Sequence, residues 1–321
     1  MRMRQQSGII IFGLITVVTG SAASLTSLTE ARIAIDPANV SVPRWSGGAL
    51  LVVEKQGTQI PVISIFERTG TLQQSLLISI PGPQTVWVRG YSRGTDGTIS
   101  ASGEAFDNDG RVGRFIILFP PNGKAARLIR TGQYGANQVA VAPDGSVWTA
   151  GVEALDRKPP GSNDVSAGFA PYLKSAVFRH FDAQGNLIDS FLPQSALANF
   201  TNPLQAGSFL AANGSGVAWY CAAEGRYVEL TPQGIALNLK GIQSPVKGTA
   251  MDGFALTARG RISLSGNTAG QSTLHEFKKA TNTWAPVTID ASFNGLYGSD
   301  GGNLVTRIRD RFAMRFVSVS E

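Results

Sequence analysis

Hydrophobic and polar residues alternate in short runs along most of the chain, and glycine-containing turns separate the runs. The clearest unit is residues 138–151, QVAVAPDGSVWTAG, in which two alternating stretches flank Asp144-Gly145. Alternation with a period of two places one face of a strand in a packed interface. Asp-Gly suits a tight turn, because glycine accepts the positive φ that the turn requires. The unit therefore predicts two antiparallel strands joined by a two-residue hairpin.

Weaker copies of this unit recur, each with the order strand, turn, strand, loop, strand, turn, strand. Their first turns are Asp96-Gly97, Asp144-Gly145, Asn213-Gly214, Arg259-Gly260 and Asp300-Gly301. The glycines of successive turns are 48, 69, 46 and 41 residues apart. A period of about 40–50 residues with four strands per repeat is typical of a β-propeller. The value of 69 is one period plus an insertion, which we place at residues 153–174.

The repeats predict an all-β fold, a six-bladed β-propeller of four-stranded antiparallel blades over residues 47–321. The first unit begins at Gly47-Gly48 without a first strand of its own, and the last ends at its third strand. Residues 24–46 form an N-terminal segment in which we expect 24–30 to be loose and 32–42 to supply the missing outer strand. This N-terminal strand would close the ring and cover an exposed sheet edge.

The N-terminus, MRMRQQSGIIIFGLITVVTGSAAS, has the three parts of an export signal. Arg2 and Arg4 provide a basic start, residues 8–18 are apolar, and residues 21–23 are small. A membrane-spanning helix needs roughly 20 apolar residues, so we expect residues 1–23 to be a signal peptide, removed after Ala23, with no span left. An uncleaved anchor is the alternative. The protein is thus predicted to be periplasmic or extracellular.

Composition and charge narrow the function classes. The chain is 43% hydrophobic and 16% charged, which is too apolar for a disordered protein. Without Arg2 and Arg4, 26 basic residues stand against 22 acidic ones, and the basic residues form no stripe interleaved with aromatic ones. Nucleic-acid binding is therefore not expected. Cys221 is the single cysteine, predicted to be a small buried residue on an interior strand. We expect a monomer.

The third unit, QVAVAPDGSVWTAG followed by FRHFDAQGNLIDSF, resembles the NHL-type repeat propellers and the exported gluconolactonase-like and streptogramin-lyase-like propellers. The resemblance extends as an architecture from Gly47 to the C-terminus. It implies the fold and leaves the function open, because these propellers include binding modules, lactonases, lyases and scaffolds.

The chain departs from the catalytic patterns of those enzymes. The gluconolactonase-like resemblance implies a metal held by a Glu early in the first blade, where this chain has PRWSGGALLVVEK, with Glu54 at the far end of the strand. The lyase resemblance implies channel-facing His and Glu, whereas His180 and His275 fall in third strands, away from the channel. No nucleophile elbow, phosphate loop or metal-ligand His pair is present in the sequence.

Candidate sites lie in the loops between second and third strands and between blades, since these share one face of the ring. A divalent metal such as Ca²⁺, the one cofactor considered, would use Glu104, Asp107 and Asp109, although the segment matches only part of a calcium loop. A solvated polar loop is the alternative. The insertion, as a lid or a plain surface loop, offers Glu153, Asp156, Arg157, Phe169 and Tyr172. Rim candidates are Glu224 and Arg226, together with Tyr134, Asn137 and Asn294 near the channel mouth.

We therefore favour an exported, non-enzymatic module that binds a protein, peptide or glycan on the loop face. One alternative is a metal-assisted hydrolase or lyase of the gluconolactonase or streptogramin-lyase type, with carboxylates at the channel mouth. Another is a structural envelope protein that spaces its partners. Three or more carboxylate or Asn oxygens converging in the channel would favour the enzyme alternative, whereas an apolar or glycine-lined channel would count against it.

Overall fold

Six four-stranded antiparallel sheets stand around a common channel, as the repeats predict. A computed structural model describes residues 23–33, 40–41, 43–54, 60–83, 85–108, 112–121, 125–155, 170–171, 174–197, 207–245, 250–268, 270–309 and 312–320. In these ranges no helix is long and apolar enough to cross a membrane. The fold is a six-bladed β-propeller, which confirms the predicted class.

The blades follow one another along the chain. Blade 1 contains β2 (Arg44–Ser46), β3 (Ala49–Glu54), β4 (Val62–Phe66) and β5 (Leu72–Leu77). Blade 2 contains β6 (Thr85–Arg93), β7 (Ile99–Phe106), β8 (Val112–Phe119) and β9 (Arg127–Gly132). Blade 3 contains β10 (Tyr134–Val141), β11 (Val147–Leu155), β13 (Ala176–Phe181) and β14 (Leu187–Pro193), and the short β12 (Ala170–Pro171) pairs with β11.

The second half has the same order of strands. Blade 4 contains β15 (Ser208–Asn213), β16 (Gly216–Cys221), β17 (Arg226–Thr231) and β18 (Gly234–Lys240). Blade 5 contains β19 (Ala250–Leu256), β20 (Ile262–Thr268), β21 (Gln271–Lys278) and β22 (Thr283–Pro286). Blade 6 contains β23 (Phe293–Asp300), β24 (Asn303–Ile308) and β25 (Ala313–Ser320), and its outer strand is β1 (Ser24–Arg32). A short 3-10 helix covers Gln194–Ala196.

An N-terminal strand closes the ring, as expected, but it begins earlier in the chain than predicted. β1 pairs antiparallel with β25 from Ser24↔Ser320 to Arg32↔Ala313. The segment expected to be loose is therefore the closing strand, and of the predicted strand at 32–42, residues 34–39 and 42 lie outside the described residues. The sequence hides β1 because an outer strand packs on one side only, so residues 26–30 are exposed and polar apart from Leu28.

Two further expectations need correction. Blade 1 has its own first strand, β2, which is only three residues long and so carries no alternation to recognise. The Asp144-Gly145 hairpin has a three-residue loop, residues 143–145, rather than the predicted two-residue loop. Ala142 N donates to Ser146 O at 2.9 Å and closes the loop, and Gly145 N donates to Ala142 O at 3.0 Å within it. Gly145 takes a φ of 78° at the end of that loop. A type I turn followed by a left-handed residue explains the preference for glycine there.

The core fills the spaces between neighbouring blades. Cys221 is fully buried in the cluster shared by blades 3 and 4, and burial raises the pKa of its thiol to about 11. This confirms that it is a packed residue on an interior strand. His180 and His275 both lie in third strands, as predicted, in β13 and β21.

Glycines allow inner strands to approach one another at four of the six blade interfaces. A Cβ at Gly253 would stand 2.4 Å from Leu296 O, and one at Gly298 would stand 2.6 Å from Trp45 O. A Cβ at Gly47 would stand 2.4 Å from Gly94 O, and one at Gly90 would stand 2.9 Å from Gln138 Cα. Blade 4 instead meets its neighbours through side chains: the Gln138 amide donates to Ser208, and Phe209 stacks on Phe254. The channel is consequently wider at blade 4.

Candidate functional site

A cavity of about 530 Å³ runs along the channel and touches all six inner strands. Blade 4 contributes residues 207–212 and blade 5 residues 251–256, whereas blade 3 contributes only Val139. This asymmetry follows from the side-chain spacers on either side of blade 4. The volume lies within the range of small-ligand sites, roughly 300–1,000 Å³.

The wall of the cavity combines apolar side chains with backbone polar groups. Each inner strand is the terminal strand of its sheet, so one edge of its backbone has no neighbouring strand and faces the channel. Aromatic groups from Tyr91, Phe254 and Tyr297 and hydroxyl groups from Ser92, Ser208 and Ser299 share the lining. Such a wall offers hydrogen bonds together with apolar contact.

Three inner strands carry a β-bulge between their third and fifth residues. The unpaired residue is Arg89 in β6, Asn137 in β10 and Asp252 in β19, and β23 has an irregularity at Asn294. Inner strands run from the connections between blades towards the first turns, and the three bulge residues each lie eight positions before the turn glycine of their blade, while Asn294 lies seven positions before Gly301. The bulges thus place a polar residue at the same level in four blades, as bulges at functional sites often do.

Asp252 is the carboxylate that lines the cavity. Ser265 Oγ donates to Asp252 Oδ1 at 2.6 Å, and Arg307 Nη2 donates to Asp252 Oδ2 at 3.0 Å. Arg307 Nε also donates to Asn294 O at 2.8 Å, which links two of the bulge positions. Burial raises the pKa of Asp252, while Ser265 and Arg307 partly offset that rise. The group is an ion pair at the junction of blades 5 and 6.

Glu104 lies beside the bulge of blade 2 and is paired with two arginines. Its Oε2 is 2.9 Å from Arg89 Nη2 and its Oε1 is 3.5 Å from Arg114 Nε. Asp107 follows β7, and Asp109 lies outside the described residues. Among the described residues, no three His, Cys, Asp or Glu side chains group to hold a metal ion. A cation at Glu104 would have to displace two guanidinium groups.

Glu153 lies at the end of β11, at the root of the insertion. Its Oε2 accepts hydrogen bonds from Arg179 Nη2 at 2.8 Å and from Ser175 Oγ at 2.5 Å. The Arg179 guanidinium lies 4.0 Å from the ring centroid of Tyr134. Glu153, Arg179 and Phe191 also line a shallow recess of about 500 Å³. The remaining insertion candidates, Asp156, Arg157, Phe169 and Tyr172, lie outside the described residues.

Tyr134 and Arg226 are both buried at blade interfaces. The Tyr134 hydroxyl is 3.0 Å from Thr149 Oγ1 and donates to Val177 O at 2.9 Å. Arg226 is 3% exposed, and its guanidinium donates to Asn238 Oδ1 at 2.9 Å and to Ala196 O at 2.8 Å. Burial lowers the pKa of Arg226, and the nearby charge of Glu224 works against that change. These side chains support the loops of the rim.

The sequence reasoning missed the Asp252–Arg307–Ser265 group. The two charged residues are 55 positions apart and belong to different blades. A usable signal was present in the aligned segments VRGYS, ANQVA and MDGFA, in which a polar residue precedes the position that pairs with the second strand. This signal becomes recognisable only when it is known that each strand has a bulge at the polar residue.

Comparisons with known proteins give structural similarity without sequence similarity. No protein-family model matches the chain, and no curated protein matches it significantly. A solved structure of a "putative exported protein" of Bacteroides fragilis superposes with a TM-score of 0.55 at 10% identity, over 94% of this chain and 96% of that one. A protein of unknown function from Dyadobacter fermentans gives a TM-score of 0.55 at 10% identity, over 92% and 100%.

An enzyme is also among the similar structures. The luciferin-regenerating enzyme superposes with a TM-score of 0.50 at 13% identity, over 91% of this chain and 95% of that one. At these identities the likeness concerns the fold alone. The chain is a six-bladed propeller whose structural neighbours include proteins of unknown function and enzymes.

Proposed function

We propose that this protein is an exported binding module that takes a peptide or glycan segment into its channel from the loop face. The observation that carries the proposal is the cavity of about 530 Å³ at the wide side of the ring, beside blade 4. Its wall provides aromatic surface, hydroxyl groups and the free backbone edges of six strands. A ligand with both polar and apolar groups, such as a peptide or an oligosaccharide, suits that wall.

The charged groups near the mouth favour binding over catalysis. Asp252 and Glu104 are each already paired with arginine. A catalytic carboxylate that has to bind a metal or transfer a proton would need to leave that partner first. Paired groups of this kind instead fix the shape and polarity of a recognition surface.

Ligand capture tests the proposal. The purified protein would be screened on a glycan array and on a peptide library, and hits would be measured again with Ala212→Trp. Ala212 is exposed and lines the cavity at the end of β15 next to the Asn213-Gly214 turn, so an indole there fills the part of the channel farthest from the loop face. Binding of a segment that reaches through the channel should fall at least tenfold in this variant and remain in Ala183→Trp, another exposed alanine, outside the cavity. Undiminished binding by Ala212→Trp would remove that half of the channel from the proposal.

A deletion of residues 156–169, with a short glycine linker from Leu155 to Ala170, tests the insertion separately. We expect ligand capture to be lost with little change in the melting temperature, because β11, β12 and the Glu153–Arg179 ion pair stay in place. The same binding by the deleted protein would restrict the site to the channel itself.

The metal-assisted hydrolase or lyase is the second candidate, and the fold shared with the luciferin-regenerating enzyme keeps it open. Its test is a thermal-shift scan with Ca²⁺, Mg²⁺ and Zn²⁺. A clear rise of the melting temperature with one of them, abolished by Glu104→Gln or Asp252→Asn, would favour this candidate. The absence of a shift would support the binding module.

Export is the remaining part of the proposal. It is supported by the three-part N-terminus and by the fold of the Bacteroides fragilis protein. N-terminal sequencing of the protein from a secreting host should find Ser24 as the first residue. A retained apolar segment in a membrane fraction would favour the uncleaved anchor instead.

A further inference from the structure

A cleft of about 750 Å³ lies on the opposite face of the ring, between blades 5 and 6. It is bordered by the first turn and the second turn of blade 5, by the first turn of blade 6, and by the end of β25. Its lining includes four basic side chains, Arg259, Arg261, Lys278 and Lys279. This face is separate from the loop-face mouth of the channel.

The basic residues of the cleft outnumber the carboxylates that balance them. Glu276 is shared by Arg261 at 3.0 Å and Lys278 at 2.9 Å. Lys279 pairs with Glu229, whose carboxylate also accepts the hydroxyl of Tyr227 at 2.5 Å. Among the described residues, the four cations thus stand against two carboxylates, which is an excess of about two positive charges.

Arg259 is the cation available to a ligand. It is exposed, and no ion-pair partner for it occurs in the part of the chain that the structure describes. Its Nε lies 3.4 Å from where a Cβ of Gly302 would stand, so the side chain extends over the first turn of blade 6. Arginine presents donors in a fork that matches two oxygens of a phosphate group.

We propose that this cleft binds a phosphate group, with Arg259 as the main ligand and Lys278 and Arg261 supplying charge. Arg261 is fixed in place because its Nη1 also donates to Val319 O at 3.0 Å. Glu276 holds Arg261 and Lys278 side by side, so their combined charge is oriented before a ligand arrives. A preorganised pair of cations beside a free guanidinium favours a doubly charged oxyanion.

The phosphate group has two sources, a soluble ligand or a lipid headgroup. The cleft lies next to the start of the described chain, because Ser24 Oγ is 2.8 Å from Ser320 Oγ and the neighbouring Val319 lines the cleft. An apolar segment retained before Ser24 would bring this face towards a membrane. A vesicle assay is therefore needed beside a soluble probe.

Two titrations test the site at low ionic strength, one with inorganic pyrophosphate by calorimetry and one with vesicles by co-sedimentation. The vesicles would be phosphatidylcholine, with or without about one third phosphatidylglycerol. We expect Arg259→Ala to weaken binding of the responding probe about tenfold and Arg259→Glu to abolish it. The control is Arg130→Glu, which makes the same charge change at an exposed arginine on the outer strand of blade 2.

Each outcome bears on the proposal. Binding of pyrophosphate that depends on Arg259 and not on Arg130 supports a soluble phosphate ligand. Binding only to phosphatidylglycerol vesicles, with the same dependence, supports a lipid headgroup. Failure to bind either probe, or equal losses in Arg259→Glu and Arg130→Glu, would overturn the site, because diffuse attraction by a basic protein predicts equal losses. None of these outcomes depends on ligand capture in the channel.

Discussion

Arg307 Nη2 donates to Asp252 Oδ2 at 3.0 Å across the junction of blades 5 and 6. Asp252 stands at the bulge of one inner strand, and the same arginine holds the backbone of Asn294 at the irregularity of the next. The pair therefore ties two bulges together at the mouth of the channel. It connects the packing of the blades with the polarity of the proposed binding site.

The pKa of Asp252 predicts a pH-dependent contribution to stability. Burial raises that pKa above its ordinary value of 3.8. As the pH rises past 3.8 the unfolded state ionises first, so this residue's contribution to the free energy of unfolding falls until the raised pKa is passed. Urea denaturation between pH 3.5 and 6.5 should show wild type losing stability relative to Asp252→Asn as the pH rises. A relative gain would mean that the ion pair outweighs burial.

Asp290 provides a control with the opposite sign. Burial acts to raise its pKa, but hydrogen bonds from Ser292 and the charge of Arg315 outweigh burial and leave the pKa lowered. Its stabilising contribution is present above 3.8 and is lost as the pH falls. Wild type should therefore gain stability relative to Asp290→Asn as the pH rises through this range.

The closing strand predicts different effects for two leucines of β1. Leu25 is partly buried against the cluster shared by blades 5 and 6, whereas Leu28 is 49% exposed. Leu25→Asp should lower the free energy of unfolding by about 2 kcal/mol, since it places a charge in that cluster. Leu28→Asp should change it by less than about 0.5 kcal/mol. Equal effects in urea denaturation would contradict the pairing of β1 with β25.

The close approach of inner strands predicts that Gly253 tolerates no side chain. An added Cβ would lie 2.4 Å from Leu296 O. Because that atom belongs to the backbone of the neighbouring strand, it cannot move aside as a flexible side chain could. Gly253→Ala should cost about 2–3 kcal/mol. Gly113, in β8, is a matched control, because the nearest atom to its Cβ position is 3.7 Å away. Gly113→Ala should be neutral or slightly stabilising, and a similar loss in both variants would argue against strand contact at Gly253.

The buried hydroxyl of Tyr134 predicts a structural cost on its removal. Tyr134→Phe loses a donor to Val177 O and a partner for Thr149, which should lower the free energy of unfolding by about 1–2 kcal/mol. Tyr297 is also buried, at 4% exposure, but its hydroxyl has no hydrogen-bond partner among the described residues. Tyr297→Phe should therefore leave stability unchanged or slightly raised. Both variants would be measured by thermal unfolding. A larger loss of stability for Tyr297→Phe than for Tyr134→Phe would contradict the hydrogen bonds described for the two hydroxyl groups.

The sequence predicted features that depend on local chemistry. Gly97, Gly145 and Gly301 were recognised because a turn needs positive φ, and all three have it. Counting those turns gave the six blades and the incomplete last one. The candidate site was less predictable, because Glu104 and Glu153 were recognised as exposed carboxylates without their arginine partners. Those partners lie on other strands, and no local pattern encodes the pairing.

By itself, then, the amino-acid sequence determined the repeat, the number of blades and the need for a closing strand. Turn chemistry and alternation act over a few residues, so they leave a readable pattern. The tertiary structure alone decided that Ser24–Arg32 is the closing strand, that blade 4 widens the channel, and that Asp252 meets Arg307. These features depend on register and on the distance between blades, which are set by packing among residues far apart in the chain.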